Sequence, residues 1–131
     1  MSFSTDVKRE AAALPMKKTC CRRALIAGAL LGGAVSCDDE IALQTDDAAA
    51  AELCARLVRE QFGRECEPQP IGKRGFLLTF PSRSAAALMR DSTENPRVLI
   101  RCPECAAALF RGLFLGGGTI SAPRNYYHLE L

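Results

Sequence analysis

At 131 residues, 48% hydrophobic and 24% charged, the chain has the composition of one globular domain, long enough to bury a core without a disulfide or metal staple. A net charge of +2 is too small to mark a nucleic-acid partner by charge alone, and seven cysteines, an odd number, argue against a fully paired secreted framework. Thirteen of the 17 basic residues are Arg, which suits phosphate and carboxylate forks and equally the codon bias of a high-GC genome.

The first element is a capped amphipathic helix. Ser4 can cap it, Asp6 sits in its first turn, Val7, Ala11 and Leu14 share one face, and Pro15 ends it. Behind it lies an apolar run from Ala24 to Ser36, too short to span a bilayer but long enough for the core of an export signal. Arg22 and Arg23 ahead of the run, and "AVSC" at its end, match a twin-arginine signal and a lipobox only in part. Ala34 stands where a lipobox has Leu. Export as a lipoprotein is the remote reading, because the same pattern recurs downstream.

"CRRALIAGALLGGAVS" and "CAAALFRGLFLGGGTIS" share one design at an offset of 84 residues. The offset pairs Cys21 with Cys105, Leu25 with Leu109, Gly28 with Gly112, Gly32 with Gly116 and Gly33 with Gly117. Mid-chain recurrence is the mark of an internal duplication. Each copy reads as an apolar helix with one interior glycine, which costs roughly 1 kcal/mol against Ala and needs a packing reason. Close helix–helix approach supplies that reason, placing Gly28, Gly32, Gly112 and Gly116 at an inter-repeat interface. The terminal glycine pairs suit a positive φ that releases the chain into a strand.

Between the copies, "AVSC" and "IALQT" form a hairpin around "DDE". A helix then runs from Asp46 and Asp47 to Gly63, with Ala50, Leu53, Cys54 and Leu57 as its core stripe and Arg56, Arg59 and Glu60 solvated. "ECEPQPI" and "GFLLTF" make a second hairpin, turned at Gly72–Gly75, and Ser82 caps a further helix. "TIS" and "YYHLEL" begin a last hairpin. Residues 1–16 are thus an N-terminal helix, 17–101 a first α-β-β-α-β-β-α repeat, and 102–131 the start of a second, truncated repeat. The fold class is α+β, antiparallel hairpins packed on helices.

Only "CPEC" (Cys102, Cys105) has metal-type spacing, and the sole histidine is His128. Cys20 and Cys21 are adjacent, a poor geometry for two ligands of one ion. The cysteines therefore read as small buried hydrophobes, with a metal or redox role for Cys102 and Cys105 left open, and no metal or cofactor is expected.

Duplicated glycine helices that each feed a hairpin resemble the LAGLIDADG homing-endonuclease fold, with "IAGALLGGA" and "FRGLFLGGG" over the signature. The resemblance implies a central helix seam, a sheet saddle for DNA, and a metal-holding acid at Gly33 and Gly117. Neither position carries a carboxylate, which implies a protein without catalysis. "MSFSTDVKREAA", "CCRRA", "FRGLFLGGGTISAP" and "YYHLEL", in that order, are similar to the WhiA family of bacterial regulators over most of the chain. That resemblance implies a noncatalytic DNA-binding part of a transcriptional regulator of sporulation and cell division, cytoplasmic and nucleoid-associated. Its partners would be DNA and other regulatory proteins, not a membrane.

The physical contact would come from cations on the open sheet face and at hairpin tips, with Lys73, Arg74, Arg64 and Arg124 as the DNA-binding candidates. Tyr126 and Tyr127 are aromatic candidates beside them. Arg22 and Arg23 mark a helix start, and Arg111 an exposed helix position. The alternative function is a protein-interaction scaffold, with DNA binding left to a helix-turn-helix domain that this sequence lacks.

Overall fold

The computed structural model describes residues 16–72, 75–116, 119–120 and 129–130. The helix expected over Ser4–Leu14 lies outside the described residues. The element order is α1 (Thr19–Gly33), β1 (Ala34–Cys37), β2 (Glu40–Thr45), α2 (Ala48–Phe62), β3 (Gln69–Ile71), β4 (Gly75–Pro81), α3 (Arg83–Glu94), a 3-10 turn (Pro96–Leu99), α4 (Cys105–Gly116), β5 (Thr119–Ile120) and β6 (Leu129–Glu130). Strands β1 to β4 form one antiparallel sheet in the order β1-β2-β4-β3, and β5 pairs antiparallel with β6. The architecture is α+β, as the element pattern predicts.

Local chemistry explains most boundaries. Asp38 and Asp39 both have positive φ, 49° and 67°, between the paired Cys37 and Glu40. A two-residue turn of this hand matches the twist of its strands, and Asp tolerates the left-handed region. Asp47 caps α2 by accepting from the Ala50 N–H at 3.0 Å, and Gly63 closes it at φ 67°. Ser82 caps α3 by accepting from the Ala85 N–H at 3.0 Å. The 3-10 turn, unassigned by the sequence patterns, is capped by Asn95 and buries Leu99.

Ile41, Leu43 and Thr45 of β2 and Leu78 and Phe80 of β4 alternate inward. The four apolar ones form one core with Ala24, Leu25, Ile26, Ala29 and Leu30 of α1 and with Ala50, Ala51, Cys54, Leu57 and Val58 of α2. The apolar run that invites an export reading is therefore the central helix, buried from Ala24 to Leu30. Among the described residues no helix is long and apolar enough to cross a membrane.

The glycines that end α1 correct the sequence reading, and Gly117, after α4, lies outside the described residues. Among the described glycines only Gly63 and Gly72 have positive φ, and α1 passes into β1 through Ala34 at φ −113° and ψ 153°. Gly33 and Gly116 serve close approach instead.

Candidate nucleic-acid interface and the helix seam behind it

Helices α1 and α4 cross with their backbones in contact. A Cβ on Gly28 would meet the Leu109 carbonyl oxygen and lie 2.8 Å from the Leu113 nitrogen. One on Gly112 would meet the Leu25 carbonyl oxygen and lie 2.9 Å from the Ala29 nitrogen. These contacts are reciprocal: the offset of 84 residues carries Leu25, Gly28 and Ala29 onto Leu109, Gly112 and Leu113. The crossing is thus self-complementary, like a twofold interface within one chain. Gly116 meets the Ala29 carbonyl group, and Gly33 meets Gly116, with the Gln44 carbonyl oxygen 2.8 Å from a Cβ placed there. Gly32 is half-buried, and the last approach is made by Gly33. Thr45, buried on β2, donates its hydroxyl to the Leu115 carbonyl at 2.9 Å, satisfying one of the free acceptors at the end of α4.

The seam positions the open face of the sheet, which the cross-strand pairs define. Val35 pairs with Ala42 and Ala42 with Thr79, while Gln44 pairs with Leu77 and Leu77 with Gln69. Glu40 completes the row. Val35 is 71% exposed. None of β1 to β4 contains a Lys or Arg, so the sheet face itself offers phosphate no cation, against the sequence expectation. The strands have to bury Ile, Leu and Phe on one side, and their outward positions are taken by Gln, Thr and Glu together with the apolar Val35, Ala42 and Leu77.

Of the tip candidates, Arg64 is exposed just past the Gly63 cap of α2. Lys73, Arg74 and Arg124 lie outside the described residues, as do Tyr126 and Tyr127. Arg56 is exposed on α2, and Arg59 of that helix faces Glu65 at 3.8 Å. Arg22 and Arg23 tie the seam to its neighbours. The Arg22 Nε donates to Glu60 at 2.8 Å and its Nη1 to the Lys17 carbonyl at 2.7 Å, while Arg23 donates to the Val98 carbonyl at 3.1 Å. Arg111, expected to be exposed, is half-buried, and burial lowers its pKa.

At the other end of the seam the cysteines depart from the sequence expectation. The Sγ atoms of Cys20, Cys21, Cys102 and Cys105 all lie within 4.8 Å of one another, with Cys21–Cys102 at 3.4 Å and Cys102–Cys105 at 3.5 Å. Adjacent helical residues point about 100° apart. However, Cys20 and Cys21 occupy the first turn of α1, and the "CPEC" turn folds over that end, where both sulfurs reach it. Burial, and the hydrogen bonds that the Cys102 S–H donates to the Cys21 and Cys105 sulfurs, push the Cys102 thiol up to about 12. At Cys105 burial opposes ionisation, yet the backbone of Arg101 and Cys102 and the Cys102 thiol bring it down to about 7. By contrast Cys54 is a plain core residue, its thiol pushed by burial to about 12.

No family model matches the chain. It is 28% identical over its whole length to the probable cell division protein WhiA of Heliobacterium modesticaldum, of which it covers 48%. It is likewise 30% identical to that of Syntrophomonas wolfei, of which it covers 49%. Among solved structures, the N-terminal LAGLIDADG domain of WhiA matches 98% of this chain and 64% of its own, with a TM-score of 0.71 at 22% identity. The chain is an N-terminal WhiA-like part. This WhiA-like chain spans about half the length of the curated relatives it matches. I-DmoI, solved in complex with DNA and Mn, shares the fold over 78% of this chain, with a TM-score of 0.54 at 14% identity. The WhiA-like chain therefore has the LAGLIDADG fold, with the Gly28–Gly112 crossing as its central seam.

Proposed function

We propose that this chain is a noncatalytic DNA-binding part of a bacterial transcriptional regulator of cell division and sporulation, acting in the cytoplasm at the nucleoid. The observation that carries the proposal is the end of the seam. The fold is shared with a protein solved on DNA and Mn. Yet the position where the family resemblance calls for a metal-holding acid is Gly33, packed against Gly116 and the Gln44 carbonyl with no room for a side chain. With glycine at both Gly33 and Gly117, those two positions lack the charge that a hard divalent ion needs, so the fold is left to hold DNA without cutting it.

Contact with phosphate falls to the rim rather than to the sheet face. Lys73 and Arg74 between β3 and β4, Arg64 after α2, and Arg124 are the residues assigned to it. Phosphate contacts position a protein without reading sequence, so this part binds any duplex weakly, and choice among promoters comes from elsewhere. The test is fluorescence anisotropy of the chain on two unrelated duplexes over a salt series. If each of the four cations neutralises one phosphate, log K falls with log salt at a slope of about −3 to −4 on both. Magnesium-dependent plasmid cleavage by the same preparation would refute the noncatalytic reading.

One observation favours a second reading, a protein-interaction scaffold. The open face around Val35, Ala42 and Leu77 is free of cations and partly apolar, which suits a protein partner better than a phosphate backbone. Absence of any salt-sensitive DNA binding would select it.

A further inference from the structure

The cysteine cluster has a geometry that packing alone does not require. Cys21 and Cys105 are related by the same 84-residue offset as Gly28 and Gly112. Each precedes its glycine by seven residues, two helical turns, and so shares the face that meets the other helix. The seam thus brings one thiol from each repeat to its N-terminal end, and both are buried. Cys20 stands beside Cys21, and the "CPEC" turn, closed by the Cys105 N–H donating to the Cys102 carbonyl at 3.1 Å, returns Cys102 to the same point.

We propose that Cys20, Cys21, Cys102 and Cys105 form a tetrathiolate site for one zinc ion, which clamps the start of α1 to the start of α4. A tetrahedral zinc with four sulfurs at about 2.3 Å separates those sulfurs by about 3.8 Å. All four Sγ atoms lie within 4.8 Å of one another, and the two shortest separations are 3.4 and 3.5 Å. A small inward or outward adjustment of each thiol meets the tetrahedral edge. An iron–sulfur cluster spreads its thiolates over several irons and needs a wider cage. Calcium or magnesium calls for oxygen ligands.

The surroundings suit a dianionic zinc–thiolate group. Lys18, which is paired with Glu104 at 3.0 Å, lies within electrostatic reach of Cys102, and Arg23 within reach of Cys105. Four protein ligands leave no open position, so the site is structural and not catalytic. It ties together residues more than 80 positions apart, where a cross-link removes the most unfolded-state freedom. The ion would sit at the opposite end of the seam from Gly33 and Gly116, away from the place where the endonuclease resemblance puts a metal. The proposal is therefore independent of any DNA binding.

The experiment uses the whole chain, purified without an affinity tag that binds metal and under reducing conditions. Elemental analysis should find one zinc per chain. The apoprotein titrated with Co2+ should give, at one equivalent, the absorption of a tetrahedral tetrathiolate complex. Cys20→Ser, at a half-buried ligand, should weaken zinc binding by more than about tenfold, whereas Cys37→Ser, exposed on β1 outside the cluster, should leave it unchanged. If Cys20→Ser fails to fold, the Co2+ spectrum of the unaltered chain still decides. Four freely reactive cluster thiols with no bound metal, a Cys102–Cys105 disulfide in the reduced preparation, or bound iron in place of zinc would each overturn the assignment.

Discussion

Gly112→Ala sets two effects of opposite sign against each other. In an isolated helix the change stabilises by about 1 kcal/mol, because Ala gives up less backbone freedom than Gly. At the crossing the new methyl would meet the Leu25 carbonyl oxygen and lie 2.8 Å from the Leu25 carbonyl carbon and 2.9 Å from the Ala29 nitrogen. These are backbone atoms of a buried helix, without a flexible tip that could swing aside. Relief requires α1 and α4 to part, yet the contacts of Gly28 with Leu113 and of Gly116 with Ala29 hold them on either side. Overpacking of this kind costs about 3 kcal/mol, the upper part of its usual range. The net is a loss of about 2 kcal/mol, or roughly 6–10 °C in Tm for a domain of this size. Thermal melting followed by circular dichroism measures it, with Gly112→Leu expected to be worse. A raised Tm for Gly112→Ala would show that helix propensity decides and that the backbone approach is not tight.

Four further outcomes are expected. Thr45→Val removes the donor to the Leu115 carbonyl and should cost about 1–2 kcal/mol in urea unfolding, with the m-value unchanged. Ser82→Ala and Asp47→Ala each remove a helix cap and should cost about 1 kcal/mol, additively, since they act on different helices. Gly33→Asp should lower Tm through contact with Gly116 and Gln44, and adding Gly117→Asp should restore no magnesium-dependent plasmid nicking. Zinc at a hundredfold excess over its Kd should stabilise the chain by about 2.7 kcal/mol, a gain that a chelator reverses and that Cys20→Ser cuts to about half or less at the same zinc concentration.

What could be read from the sequence follows the range of the interactions. The caps at Asp47 and Ser82 and the stop at Gly63 are local signals, written within a few residues of where they act. The Gly28–Gly112 crossing is long-range, yet duplication makes it legible, because two copies of one glycine pattern imply a shared partner surface. The role of Gly33 is not legible in the sequence, since a glycine there suits both a positive φ and a close approach, and only the placement of Gly116 and Gln44 against it decides between them. The cysteine cluster was hidden by its spacing. Two adjacent cysteines and one "CPEC" look like half a site each, and nothing local says that the seam closes them into one. Thr45 was equally unreadable, since its partner is a backbone carbonyl 70 positions away. The lack of cations on the sheet face was present in the letters of the four strands, and became visible only when their register fixed which residues share a face.

The central claim, a DNA-binding part that works through its rim, is tested most directly by measuring duplex affinity of Lys73→Ala, Arg74→Ala and Arg56→Ala against salt. Lys73→Ala and Arg74→Ala should each weaken binding equally on any sequence and reduce the salt slope by about 1. Arg56→Ala, on the exposed face of α2, should bind as the unaltered chain does. Hairpin variants that bind normally, beside an Arg56→Ala that binds worse, would contradict the account and move the DNA surface to the helices.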